Sequence, residues 1–130
     1  MTDTRTLGRS AILIVEDDAA VAEMYRLKLE MDGYRVRVAG DGDEGLAQAL
    51  DDPPDLIFLD IHLPKLDGFG VLERLGAQTR TAAVPVVVLS SYSEPELVER
   101  CRALGAREYL LKSHTTPQRL SARARHWLAA

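Results

Sequence analysis

Five short runs of largely apolar residues, at 12–15, 35–39, 56–59, 86–89 and 108–111, are each followed by a stretch with helical spacing. Strands that alternate with helices cannot pair as hairpins. They imply right-handed crossovers and a parallel sheet with helices on both faces. Three of the runs are apolar at nearly every position, which suits central strands covered on both sides. The alternating Arg35-Val36-Arg37-Val38 suits an edge strand with one wetter face. The expected architecture is α/β, a single doubly wound (βα)5 domain built on a five-stranded parallel sheet.

The helical stretches carry their own start and stop signals. The first presents Ala20, Met24, Leu27 and Met31 along one side and ends before Gly33. Asp41 with Glu44, and Ser93 with Glu96, have the spacing of capping boxes for the second and fourth helices. Leu97, Cys101 and Leu104 share a face of the fourth, which ends at Gly105. Thr116-Pro117 opens the fifth, with Leu120, Ala124 and Trp127 aligned. The third, about 69–75, is weakened by Gly68, Gly70 and Gly76, and its existence follows from the alternation.

At 130 residues the chain suits one domain, expected over 10–130, with 1–9 as a loose polar leader. Folding should remove about two-thirds of the unfolded surface from water. Its formal charge of −4 offers no basic field for nucleic acid or an anionic membrane, so neither is an expected partner. The single Cys101 has no internal disulfide partner and no Cys-x-x-Cys spacing, consistent with a reducing cytoplasm. No apolar stretch approaches the roughly 18 residues of a membrane span.

What the runs end in is chemically specific. Glu16 and Asp17 close the first, Asp60 closes the third, Ser90 the fourth, and Lys112 follows the fifth. If the runs ending in Glu16-Asp17, Asp60 and Lys112 are neighbouring parallel strands, these groups share the sheet edge where open α/β sheets bind ligands. Carboxylates within about 4 Å repel by roughly 4 kcal/mol per pair at an effective dielectric near 20, a cost a divalent cation removes. With oxygen donors only, Mg²⁺ is favoured over zinc. Asp60 beside such a cation and the Lys112 ammonium could attack phosphorus, and the Ser90 hydroxyl could then bond the new phosphoryl oxygens.

Ile-Leu-Ile-Val-Glu-Asp-Asp at 12–18, Leu-Asp-Ile-His-Leu-Pro-Lys-Leu-Asp-Gly at 59–68, Val-Val-Leu-Ser at 87–90 and Tyr-Leu-Leu-Lys at 109–112 resemble the receiver domain of two-component response regulators, of the chemotaxis-regulator kind. The resemblance covers essentially the whole chain after the leader. It implies a flavodoxin-like strand order 2-1-3-4-5 and phosphorylation of Asp60 by a sensor histidine kinase or phosphotransfer protein. It further implies Mg²⁺ held by Asp17, Asp60 and the His62 carbonyl, with Glu16 acting mainly through water. Lys112 would pair with the phosphoryl group, and Ser90 with Tyr109 would form the switch. His62 and Tyr92 would border the water that removes the phosphoryl group. The implied output surface, also a candidate homodimer face, comprises the fourth helix, fifth strand and fifth helix.

One departure stands out. The family usually has proline after the lysine, often with a cis bond, and this chain has Ser113, where a cis bond would cost about 2.5–4 kcal/mol. A receiver-like module that binds partners without being phosphorylated is therefore an alternative. A cobalamin-binding module fits less well, because Lys65 occupies the glycine position of Asp-x-His-x-x-Gly. A dehalogenase-type phosphatase fits poorly too, because His62 replaces the second acid of Asp-x-Asp.

Overall fold

The computed structural model describes residues 9–129; the expected leader lies almost wholly outside them. Five strands, β1 (Ala11–Val15), β2 (Arg35–Ala39), β3 (Leu56–Leu59), β4 (Val86–Ser90) and β5 (Glu108–Leu111), form one parallel sheet in the order β2-β1-β3-β4-β5. Between and after them lie α1 (Ala19–Met31), α2 (Gly42–Asp51), α3 (Gly68–Gly76), α4 (Pro95–Ala103) and α5 (Pro117–Leu128). A short 3₁₀ turn, Lys112–His114, separates β5 from α5.

Alternate residues of each central strand feed two apolar layers, as the two-residue period of a strand requires. Leu13, Val15, Ile57, Leu59 and Val88 pack with Val71, Leu72, Leu75 and Cys101 on one face. Ile12, Ile14, Phe58, Val87 and Leu89 pack with Tyr25, Leu29, Leu120 and Ala124 on the other. Each fully buried aliphatic or Phe side chain here contributes about 1.5–3 kcal/mol, so the central strands hold most of the apolar driving force. Cys101 is part of this packing, and burial pushes its thiol up to about 11, leaving it protonated and inert at neutral pH.

Two expectations are corrected. The core-facing side of α1 is Ala22, Tyr25 and Leu29, whereas Met24, Leu27 and Met31 are exposed. Both stripes have helical spacing, and the buried one won because it contains the aromatic that fills the space between α1 and β5–α5. The N-cap of α4 is Glu94, without a side-chain cap bond; Pro95 takes the first helical position and leaves Ser93 outside the helix. The strand order β2-β1-β3-β4-β5 is the one the resemblance implied; β4 lies between β3 and β5, and β5 is an edge strand, so Lys112 reaches the acids across β4. The Asp41 cap is as expected, its carboxylate accepting from the Glu44 N–H at 2.8 Å.

The segment joining β3 to α3 is tightly fitted. The Gly68 N–H donates to the Ile61 carbonyl at 2.8 Å, and a Cβ on Gly68 would lie 2.5 Å from Ile61 Cα and 2.6 Å from the Asp60 carbonyl oxygen. Both obstacles are backbone or adjoin it and cannot swing away. Gly68→Ala is expected to cost about 3 kcal/mol, the upper end for overpacking, measured as a lowered urea midpoint with unchanged slope.

Candidate phosphoacceptor and metal site

The register of β1 against β3 pairs Val15 with Leu59, so the residues that follow, Glu16 and Asp60, leave the sheet side by side. Asp60 donates its N–H to the Val15 carbonyl at 3.0 Å, which locks that pairing one step beyond the strands. Asp17 follows Glu16 just before Asp18, whose carboxylate caps α1 by accepting from the Ala20 and Val21 N–H groups. Glu16 and Asp60 are buried and Asp17 is exposed. One carboxylate oxygen from each of the three lies within 4.8 Å of the others.

Lys112 enters from the far side. Its Nζ lies 2.5 Å from Glu16 Oε1 and 2.9 Å from Asp60 Oδ2. The contact to Glu16 is a close ion pair outside hydrogen-bond alignment, and Oε1 has no aligned donor. The other oxygen, Oε2, accepts from the Asp18 N–H at 3.1 Å. Asp60 Oδ1 accepts from the His62 N–H at 3.1 Å. Burial raises the Glu16 carboxyl above its ordinary value, against the lowering pull of Lys112 and the Asp18 N–H. Burial pulls Lys112 down, but the adjacent carboxylates of Glu16 and Asp60 together outweigh that and hold it above the usual lysine value.

Lys112 thus reaches its expected position without the proline, the peptide bond to Ser113 being trans. Ser90 is fully buried at the end of β4, and its Oγ accepts from the Tyr92 N–H at 3.1 Å. The Tyr109 hydroxyl donates to the carbonyl of the same residue, Tyr92. Both expected switch residues therefore meet on one backbone unit. The Tyr109 ring is half-buried, and burial raises its hydroxyl pKa, with the Ser90 hydroxyl acting in the lowering direction. The rings of His62 and Tyr92 meet edge to face, centroids 4.5 Å apart, at the rim of the site.

The donor set fits a hard divalent cation. It consists of oxygen atoms only, one from each of Glu16, Asp17 and Asp60 within 4.8 Å of the others. Bound there, Mg²⁺ would supply positive charge against the clustered carboxylates. Added Mg²⁺ is accordingly expected to raise the melting temperature at constant ionic strength, by mass action, and Asp17→Asn to weaken that response. Scanning fluorimetry across an Mg²⁺ series reads it directly.

The model for "Response regulator receiver domain" matches residues 12–125. The chain belongs to the response-regulator receiver family. This assignment displaces the corrinoid and phosphatase alternatives. Over 110 residues, 85% of the chain, the receiver domain is 42% identical to the "DNA-binding dual master transcriptional regulator RpaA" of Synechocystis, of which it covers 46%. It thus spans about half the length of the curated relatives it matches, and the sequence-based exclusion of nucleic acid concerns only the charge of these 130 residues. A putative response regulator from Chloroflexus aurantiacus superposes with a TM-score of 0.86 at 34% identity, over 94% of this chain and 99% of that one. The Mn²⁺-bound form of the response regulator Rcp1 does so at 0.84 and 26% identity, over 93% and 96%.

Sequence reasoning brought out every charged member of this site and missed two polar ones. Tyr25, on α1, donates its hydroxyl to the Thr115 carbonyl at 2.7 Å, and both residues are buried. The available signal was a tyrosine four residues before Leu29 on a helix that could bury either of two faces.

Proposed function

We propose that this receiver domain takes a phosphoryl group onto Asp60 from a cytoplasmic sensor histidine kinase or phosphotransfer protein, with Mg²⁺ held by Asp17, Asp60 and the His62 carbonyl and with Glu16 acting mainly through water. A carboxylate oxygen of Asp60 attacks the phosphorus of phosphohistidine. The P–O bond forms as the P–N bond breaks, and the departing imidazole nitrogen takes a proton. Lys112 follows the charge that builds on the phosphoryl oxygens, leaving its present partners in part to do so. Ser90, whose Oγ already accepts from Tyr92, has a proton to donate to one of those oxygens.

The single observation that carries this reading is the convergence of Glu16, Asp17, Asp60 and Lys112 from three separate strand ends on one sheet edge. Because Ser90 and Tyr109 both hold the Tyr92 backbone, drawing the Ser90 hydroxyl toward phosphate shifts the carbonyl on which the Tyr109 hydroxyl rests. That couples the site to the face formed by α4, β5 and α5, the proposed surface for the downstream partner or a second copy of the chain. A population shift from 1:99 to 99:1 needs about 5.5 kcal/mol of differential binding, within reach of several new charge-assisted hydrogen bonds.

Incubation with a small acyl phosphate and Mg²⁺, followed by intact mass, tests the reading. A single phosphoryl adduct that chelation abolishes supports it, and no adduct under saturating Mg²⁺ contradicts it. The same adduct allows a second measurement. His62 and Tyr92 crowd the line along which water must approach the phosphorus, so His62→Ala with Tyr92→Ala is expected to speed dephosphorylation about tenfold, a barrier change of roughly 1.4 kcal/mol. Decay of the adduct followed over time reads the rate.

A further inference from the structure

We propose that Tyr25 is a positioning residue for Lys112, its hydroxyl fixing the turn that aims the ammonium at Asp60. In this chain no proline follows the lysine, and something else must hold the backbone there. The segment after β5 is tied to itself by two bonds: the Thr115 N–H donates to the Lys112 carbonyl at 3.2 Å, and Thr115 Oγ donates to the Leu111 carbonyl at 2.8 Å. Neither bond fixes the turn relative to the acids. The Tyr25 hydroxyl does, because it donates to the Thr115 carbonyl at 2.7 Å from a side chain only 2% exposed.

The helix that carries Tyr25 also begins at the acidic cluster. Asp18 caps α1, and the Asp18 N–H holds Glu16 Oε2 at 3.1 Å. One rigid helix therefore references both sides of the ion pair: Glu16 through the cap and Lys112 through Tyr25 and Thr115. A phenylalanine would fill the same volume, so packing alone does not require the oxygen. A buried hydroxyl needs a partner, and here its partner is the residue that closes the lysine turn.

The rate readout rests on the phosphoacceptor reading, so a second readout is chosen that does not. Tyr25→Phe removes one oxygen and is expected to slow adduct formation from a small acyl phosphate about ten- to a hundredfold at saturating Mg²⁺, as misplacement of a charge-stabilising group does. In a Lys112→Met background, Tyr25→Phe should add nothing. Independently, the slowly exchanging Nζ cross-peak of Lys112 in ¹⁵N-labelled protein should be present in the wild type and lost in Tyr25→Phe. An additive loss in the Lys112→Met background, or an unchanged Nζ signal, overturns the proposal. If the wild type takes no phosphoryl group yet Tyr25→Phe abolishes the Nζ signal, the positioning role stands and the phosphoacceptor reading falls. Should Tyr25→Phe fail to fold, 4-fluorophenylalanine at position 25, which keeps nearly the volume of tyrosine but cannot donate to the Thr115 carbonyl, is read by the same two measurements with the same two losses expected, and retention of both overturns the proposal.

Discussion

Asp60→Asn yields a folded chain that takes no phosphoryl group from any donor. The amide is nearly isosteric with the carboxylate, and its oxygen can still accept from the His62 N–H, so the segment after β3 keeps its shape. The amide lacks the anionic oxygen that must attack phosphorus. The variant also removes one of two buried carboxylates that repel each other across the site, and Lys112 retains Glu16 at 2.5 Å. Its unfolding free energy is therefore expected to stay within about 1 kcal/mol of wild type while the adduct disappears entirely. Circular dichroism and intact mass on the same sample separate the two effects. An adduct that persists would reassign the acceptor.

Lys112→Met is expected to act on both chemistry and stability. Losing the ammonium positioned to follow charge onto the phosphoryl oxygens should slow adduct formation about 10²–10³-fold. It also strips Glu16, 3% exposed, of its cationic neighbour, and an uncompensated buried charge costs about 3–5 kcal/mol. The cost depends on pH with a definite sign. The Glu16 carboxyl lies above its ordinary 4.5 in the folded chain and rises further without Lys112, so between those values the folded state binds more protons than the unfolded one. Stability from the protonated form is full below the ordinary value and is lost as pH rises through the raised one. The deficit of Lys112→Met relative to wild type should thus be large near pH 8 and shrink near pH 5, measured by urea unfolding at each. A deficit that grows on acidification would mean that Glu16 is not the group left unpaired.

Most of the site was legible because its members sit at strand ends, where an apolar run gives way to one charged residue. The parallel order then follows from the alternation, and position does the rest. The edge position of the fifth strand came from the resemblance and its strand order, not from the local pattern: Tyr109-Leu110-Leu111 looks as apolar as a central strand, because Leu110 packs with Leu120 and Ala124 of α5, while the Glu108 carboxylate accepts from the Trp127 indole at 2.7 Å. The face of α1 was misjudged: methionine and leucine at Met24, Leu27 and Met31 have the same spacing as Ala22, Tyr25 and Leu29, and only tertiary packing chooses between them. The Lys112 turn was read as the weak point because proline was missing. Its substitute is a hydroxyl some ninety residues earlier in the chain, a relation no local pattern encodes.

Reductive trapping addresses the central claim most directly. An acyl phosphate on an aspartate is reduced by borohydride to homoserine, whereas phosphoesters and free carboxylates are not. Wild-type protein phosphorylated in Mg²⁺, reduced, digested and mapped by peptide mass is expected to carry homoserine at position 60 and nowhere else. Homoserine at position 17, or a stable phosphoryl mass on Ser90 or His62 with residue 60 unchanged, would contradict the account.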